Sequence, residues 1–226
     1  MLSVWSRAVT DEALLSVRPA IMDIKMGTLT YAPDASAAKI KSRKLKDGAT
    51  TTESHGLRVC GGRVPTGALS AGASRPHIYC TYPTQQPAPG SGLGLTLLAP
   101  ADVALRPVGL KLGRPIDSEA ALSEVLHAFF CTPELRTAAI SFVSEMQAWF
   151  DTQTEFAFYA SSLLFVYDAA AERSELRAKM IDFAHVHSPS EPCVAGPRKG
   201  LPLQDGPCDD SYREGLAHLR RLLDAW

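Results

Sequence analysis

Cysteine is scarce in this chain: five stand among 226 residues, at Cys60, Cys80, Cys131, Cys193 and Cys208, with no Cys-x-x-Cys pair. An odd, scattered set excludes a disulfide framework and offers no zinc-binding spacing. It implies a reducing compartment, the cytoplasm or the nucleus. Excess charge is missing too. Twenty-three basic residues nearly cancel 24 acidic ones, for a net charge of -1, so nothing draws the whole chain to nucleic acid or to a membrane, and any polyanion-binding surface must come from local clustering. No run approaches the roughly 18 uncharged apolar residues of a membrane span. The start, Met1 to Arg18, mixes Trp5 with Arg7, Asp11 and Glu12 and carries no apolar leader core.

What is present is a hydrophobic content of 46% over a length that buries one sizeable core, so a single domain and a monomer are expected. Pro, Gly and Ser concentrate from Pro65 toward Pro115, and 65–106 reads as a surface insertion. Gly90, Gly92 and Gly94 lie within it, but the strand before and the helix after that a phosphate loop needs are absent. A second Pro- and Gly-rich loop is expected from Ser188 to Cys208.

Three segments carry helical periodicity. Leu122, Val125, Leu126, Phe129 and Phe130 form a stripe in Ser118–Phe130; Thr132 and Pro133 open a second helix carrying Leu135, Ala139, Phe142, Val143, Met146 and Phe150. The third runs from about Asp210 to Trp226, with Ser211 and Glu214 as a capping box and Tyr212, Leu216, Leu219 and Leu223 as its stripe. Short apolar runs predict strands at Ala20–Lys25, Gly56–Val64, Ser161–Tyr167 and Lys179–Phe183, so the class is α+β.

The last two strands suit a hairpin, and pairing them about residue 172 sets the Ser162 hydroxyl opposite the Asp182 carboxylate. Hard oxygens of this kind suit Mg²⁺, which takes one or two protein ligands and completes its shell with phosphate and water. A carboxylate paired with a nearby arginine or amide is the alternative. In Pro19-Ala20-Ile21-Met22-Asp23-Ile24-Lys25-Met26-Gly27 the acid and the base stand two apart, so on a strand both project from one face. Such a pair can serve phosphoryl transfer, the acid accepting a hydroxyl proton and the lysine neutralising the moving phosphoryl group; it can equally be a surface ion pair. Asp34 to Asp47 predicts a helix capped by Asp34 or Ser36, with Lys39, Arg43 and Lys46 at i, i+4 and i+7. Their mutual repulsion would be relieved by a cluster of phosphates, although a solvated face or an import signal has the same pattern. No aromatic residues interleave with these lysines, which argues against a nucleic-acid partner.

The order of these segments, with Gly56-Leu57-Arg58-Val59-Cys60-Gly61-Gly62 between the basic helix and the hairpin and Asp210-Ser211-Tyr212-Arg213-Glu214-Gly215-Leu216 at the close, resembles the inositol polyphosphate kinase family. Ser161-Ser162-Leu163-Leu164-Phe165-Val166-Tyr167 and Asp182-Phe183-Ala184-His185 look most like its multikinase branch, and the hexakisphosphate kinases share the second feature. The resemblance implies a kinase-like α+β fold and an enzyme that uses ATP and Mg²⁺ to phosphorylate ring hydroxyls of inositol trisphosphate and tetrakisphosphate, with phosphoinositide lipids as further candidate partners. It implies Asp23 as the base, Lys25 as a catalytic and phosphate-binding residue, Asp182 and Ser162 as metal ligands, and Lys39, Lys46 and His185 as substrate-binding residues. Arg43 joins them from helical geometry. Residues 1–18 then read as a remnant of a hinge region and 19–226 as the catalytic and substrate lobe, with the nucleotide-binding N-terminal lobe largely missing and no ATP-contacting residue assigned. A truncated chain and a non-catalytic inositol phosphate binding module both fit that pattern.

Overall fold

The computed structural model describes residues 18–32, 34–65, 105–109, 116–171, 174–188 and 209–225. All but the last residue of the expected hinge remnant at 1–18 and the Gly90, Gly92 and Gly94 stretch lie outside them, as do Cys80, Cys193 and Cys208; Cys60 and Cys131 are not disulfide-bonded. Five strands make one antiparallel sheet: β1 (Pro19–Met26), β2 (Leu57–Pro65), β3 (Leu105–Val108), β5 (Ser162–Asp168) and β6 (Arg177–Ile181), in the order β3-β2-β1-β5-β6. The insertion expected from Pro65 is therefore bounded differently, since Pro65 ends β2 and Leu105 and Arg106 belong to the edge strand beside it. Edge placement is where a proline such as Pro107 is tolerated in a sheet.

Period-two alternation gives the sheet two faces. Ala20, Met22, Ile24 and Met26 of β1 and Leu163, Phe165 and Tyr167 of β5 are buried against the helices, while Asp23, Lys25 and Ser162 point the other way. The helical layer consists of α3 (Glu119–Phe129), α4 (Pro133–Thr152) and α5 (Asp210–Asp224), whose stripes Leu122, Leu126 and Phe129, Leu135, Ala139 and Val143, and Leu216, Leu219 and Leu223 complete the core. Phe150 stacks on Tyr212 at 4.3 Å, and the Tyr167 hydroxyl donates to the Phe129 carbonyl at 2.7 Å, satisfying the polar tip of a buried ring. Each fully buried phenylalanine, Phe165 among them, contributes roughly 2–3 kcal/mol. Two further helices follow β1: α1 (Ala37–Gly48) and the single turn α2 (Thr52–His55), and a small ribbon pairs β4 (Ala157–Phe158) with β7 (Val186–His187).

Caps follow from side-chain chemistry. Ser36, not Asp34, caps α1 by accepting from the Lys39 amide, and Thr132 caps α4 as expected. The capping box at Ser211 and Glu214 does not form. Asp209 takes that place, accepting from the Tyr212 amide at 3.0 Å and the Phe158 amide at 2.6 Å, and burial pushes its carboxyl up to about 6. Ser211 turns instead to Thr28, whose amide donates to its hydroxyl at 2.7 Å.

Glycine closes the junction between sheet and final helix. A Cβ on Gly215 would stand 2.1 Å from the Gly56 carbonyl oxygen, and Gly56, at φ +64°, has no room for one against Gly215. Gly27 finishes β1 at φ +94° and donates its amide to Gly56 at 2.7 Å, so the last residue of Asp-x-Lys-x-Gly is a backbone requirement.

Candidate active site

Strand register brings the expected site residues together. Lys25 pairs with Ser162 on β5 and with Arg58 on β2, and Ser162 pairs with Ile181 on β6, so these positions stand abreast across four strands. The expected pairing of Ser162 with Asp182 is off by one residue. β6 ends at Ile181, and Asp182 follows it in the left-handed region at φ 66°, outside the apolar strand interior. Aspartate tolerates that conformation better than most side chains. The corrected geometry still delivers the carboxylate, because Asp182 Oδ2 lies 3.7 Å from Lys25 Nζ.

Lys25 is gripped from two sides. Its ammonium also donates to the Ala160 carbonyl at 2.6 Å, and Ala160 adopts φ 58°, a strained conformation for alanine that costs about 1–2 kcal/mol. Asp23, 6% exposed, projects from the same face two residues earlier. Beside it sits Cys60, at the bulge where β2 slips against β1; burial, and then the Asp23 charge, push its thiol pKa up, so it is a poor nucleophile.

Ser162 and Asp182 fit a divalent cation by one direct observation. The Ser162 hydroxyl is wholly buried with no hydrogen-bond partner among the described residues, and a cation is one way to satisfy such an oxygen. No group of three or more His, Cys, Asp or Glu side chains capable of holding a metal occurs among the described residues. One carboxylate and one hydroxyl therefore suit an ion completed by phosphate and water, not an all-protein cage.

The basic helix meets this face through one turn of chain. Phe183–His185 forms a 3₁₀ turn after Asp182, and the Lys39 ammonium lies 3.0 Å from His185 Nε2. An ammonium can only donate, so Nε2 accepts and the neutral ring keeps its proton on Nδ1. Burial lowers the His185 pKa, and the Lys39 charge lowers it further; Asp34, His187 and Arg43 also act on it. Lys39 and Arg43 thus place positive charge around a neutral His185, which makes one phosphate-sized pole with two cations and a polar ring. Lys46 is exposed on the last turn of α1, about 10 Å along the axis from Lys39 and about 4.5 Å beyond Arg43, so it continues the row of cations toward the far end of the helix.

Residues 9–224 fit the model of the family described as inositol polyphosphate kinase. The chain belongs to the inositol polyphosphate kinase family. Its relatives come from two branches. It is 31% identical over 179 residues to inositol hexakisphosphate kinase 1 of Rattus norvegicus, covering 79% of this chain and 34% of that protein. It is 27% identical over 228 residues to the inositol polyphosphate multikinase of Oryza sativa subsp. indica, covering 97% of this chain and 65% of that protein. The chain thus spans about a third of the rat relative and just under two thirds of the rice one. In structure it is similar to an inositol phosphate multikinase with TM-score 0.62 at 22% identity, over 94% of this chain and 81% of that one. The S. cerevisiae multikinase Ipk2, solved in complex with ADP and Mn²⁺, gives TM-score 0.61 at 19% identity, over 94% of this chain and 80% of the other. These likenesses establish the α+β fold of the family.

Some members of the site were not legible in the sequence. Arg58 and Asp47 form a fully buried ion pair beneath the basic helix, and the Ala160 carbonyl holds Lys25. The available signal for Arg58 was a cation flanked by Leu57 and Val59 within an apolar strand; Ala160 had none.

Proposed function

We propose that this chain is the acceptor-binding and catalytic part of an ATP-dependent inositol polyphosphate multikinase acting on inositol trisphosphate and tetrakisphosphate. The observation that carries the reading is the continuous run of groups from Asp23 and Lys25 through Asp182 to His185 and Lys39, which joins a proton acceptor, a phosphoryl-neutralising lysine and a phosphate-binding pole on one surface. In this mechanism Lys39, Arg43 and His185 bind the ring phosphates and orient one free hydroxyl toward Asp23. Asp23 takes the hydroxyl proton as its oxygen bonds to the γ-phosphorus of ATP and the bond to the departing ADP breaks. Lys25 offsets the charge on the phosphoryl oxygens, so positioning and electrostatics supply most of the rate enhancement. Bound by Asp182 and Ser162, Mg²⁺ would supply further charge neutralisation on the nucleotide phosphates. Lys46 adds a peripheral cation for a phosphate reaching along the helix.

The rat hexakisphosphate kinase relative supports a second reading, in which inositol hexakisphosphate is the acceptor. Labelled phosphate transfer from ATP to inositol trisphosphate, tetrakisphosphate and hexakisphosphate, resolved by anion-exchange chromatography, separates the two. Transfer to the first two supports the multikinase reading, transfer to the third alone supports the other, and binding without transfer makes the chain a binding module. Activity in cytoplasm and nucleus is expected of either kinase, with phosphoinositide headgroups as further acceptors to assay.

A further inference from the structure

We propose that the buried Arg58–Asp47 ion pair is a positioning device that sets where the cations of α1 stand relative to Lys25. The inference rests on the kinase reading above. α1 is tethered at both ends. Near its start, Lys39 reaches His185 at 3.0 Å, and Asp34, just ahead of the helix, lies 3.6 Å from His187 Nε2. At its far end Asp47, 1% exposed, accepts from Arg58 Nη1 at 2.6 Å, from the Thr30 hydroxyl at 2.7 Å and 2.9 Å, and from the Thr30 amide at 3.2 Å. Arg58, 2% exposed, also donates to the Thr52 hydroxyl at 2.9 Å, and Thr52 meets the Thr50 hydroxyl at 2.9 Å. Arg58 is the β2 residue opposite Lys25. One side chain therefore ties the phosphate-binding helix to the sheet position that carries the transfer lysine.

Stability is a poor account of this arrangement. Two buried charges pay a desolvation cost that a hydrophobic pair of similar volume avoids, often with equal or greater stability. What the ion pair adds is direction: Arg58 Nη1 is shared between the Asp47 carboxylate and the Thr52 hydroxyl, which fixes where the end of α1 sits, whereas an apolar contact lets a helix slide. Displacement of about 1 Å at the acceptor costs up to ~10²-fold in rate, so a sliding α1 would be felt first in acceptor use. The nucleotide side, which α1 does not carry in this reading, would be spared.

The test uses the full chain carrying Asp47→Leu together with Arg58→Met, which removes both buried charges at once, and separately Thr30→Val, which keeps the ion pair and deletes one hydrogen bond to it. Steady-state kinetics with inositol trisphosphate and ATP are read beside thermal melts. The expected result for the double variant is a KM for inositol trisphosphate raised about 10-fold or more, a KM for ATP within about twofold, and a folded protein at the assay temperature. Thr30→Val should raise the same KM about threefold, and it carries the test alone if the double variant does not fold. Unchanged inositol trisphosphate KM in a folded variant overturns the inference, as does a loss that falls equally on both substrates. A wild-type chain that neither transfers to nor binds inositol trisphosphate overturns the kinase reading and this inference with it, and that failure shows in the wild-type arm alone.

Discussion

The sheet-borne and the helix-borne halves of the site are held by different means. Asp23, Lys25 and Ser162 owe their positions to the backbone ladders of β1 with β2 and β5, regular toward β5 and interrupted toward β2 by the bulge beside Asp23. Lys39 and Arg43 owe theirs to a helix whose docking depends on a few side-chain contacts, with His185 at one end and Arg58 at the other. Under the proposed function the chemistry of transfer sits on the sheet, and recognition of the acceptor sits on the helix docked through side chains. In that reading the division would let acceptor preference vary without disturbing the groups that move the proton.

Four experiments sharpen or break the contrast. Asp23→Asn keeps the shape of the sheet-borne half and removes its base, and transfer to inositol trisphosphate should fall by about 10³-fold while the melting temperature holds; near wild-type turnover would remove Asp23 from the mechanism. Gly215→Ala attacks the packing that pins the ends of β1 and β2 to α5. Alanine normally favours a helix interior by about 1 kcal/mol, but its Cβ meets the Gly56 carbonyl, so chemical denaturation should register a loss of about 3 kcal/mol. On the helical half, Lys39→Ala should weaken inositol trisphosphate binding about 10-fold by calorimetry, and Lys46→Ala no more than about threefold, because Lys46 is exposed and lies two turns along α1 from the contact of Lys39 with His185. Equal effects would mean that the acceptor lies along α1 and not across its N-terminal half.

The smallest effect concerns pH. The folded state keeps His185 neutral below its ordinary value of 6.5, whereas the unfolded chain takes up the proton there. Unfolded protein then binds more protons, so this residue makes stability fall as pH drops below 6.5. In the proposed reading bound phosphates would reverse the preference, and acceptor affinity should rise over the same interval. His185→Gln should flatten both trends in melting temperature and calorimetry between pH 5 and 7; trends that persist in the variant would belong to another group.

The legibility of the molecule follows the same division. Asp23 and Lys25 were readable because period-two alternation puts two residues on one strand face wherever the strand lies. The stripes of α3, α4 and α5 were readable for the corresponding helical reason. The partner of Ser162 was read one residue out, because hairpin register depends on how a polar connection turns, and Asp182 proved to lie beyond the strand in a left-handed bend. The cap of α5 was misread because Ser211 had a better partner in Thr28, 183 residues away in sequence.

By itself the sequence determined the α+β class, the faces of its strands and helices, the chemical types at the site and the family to which their order belongs, since all of these are carried by local periodicity and residue order. Only the tertiary structure decided that Asp182 reaches Lys25 from outside its strand, that Lys39 meets His185 while Lys46 does not, that Arg58 and Asp47 anchor the basic helix, and that Gly27, Gly56 and Gly215 converge at one junction. Each of those depends on segments distant in the chain being packed against one another, and no local pattern encodes that distance.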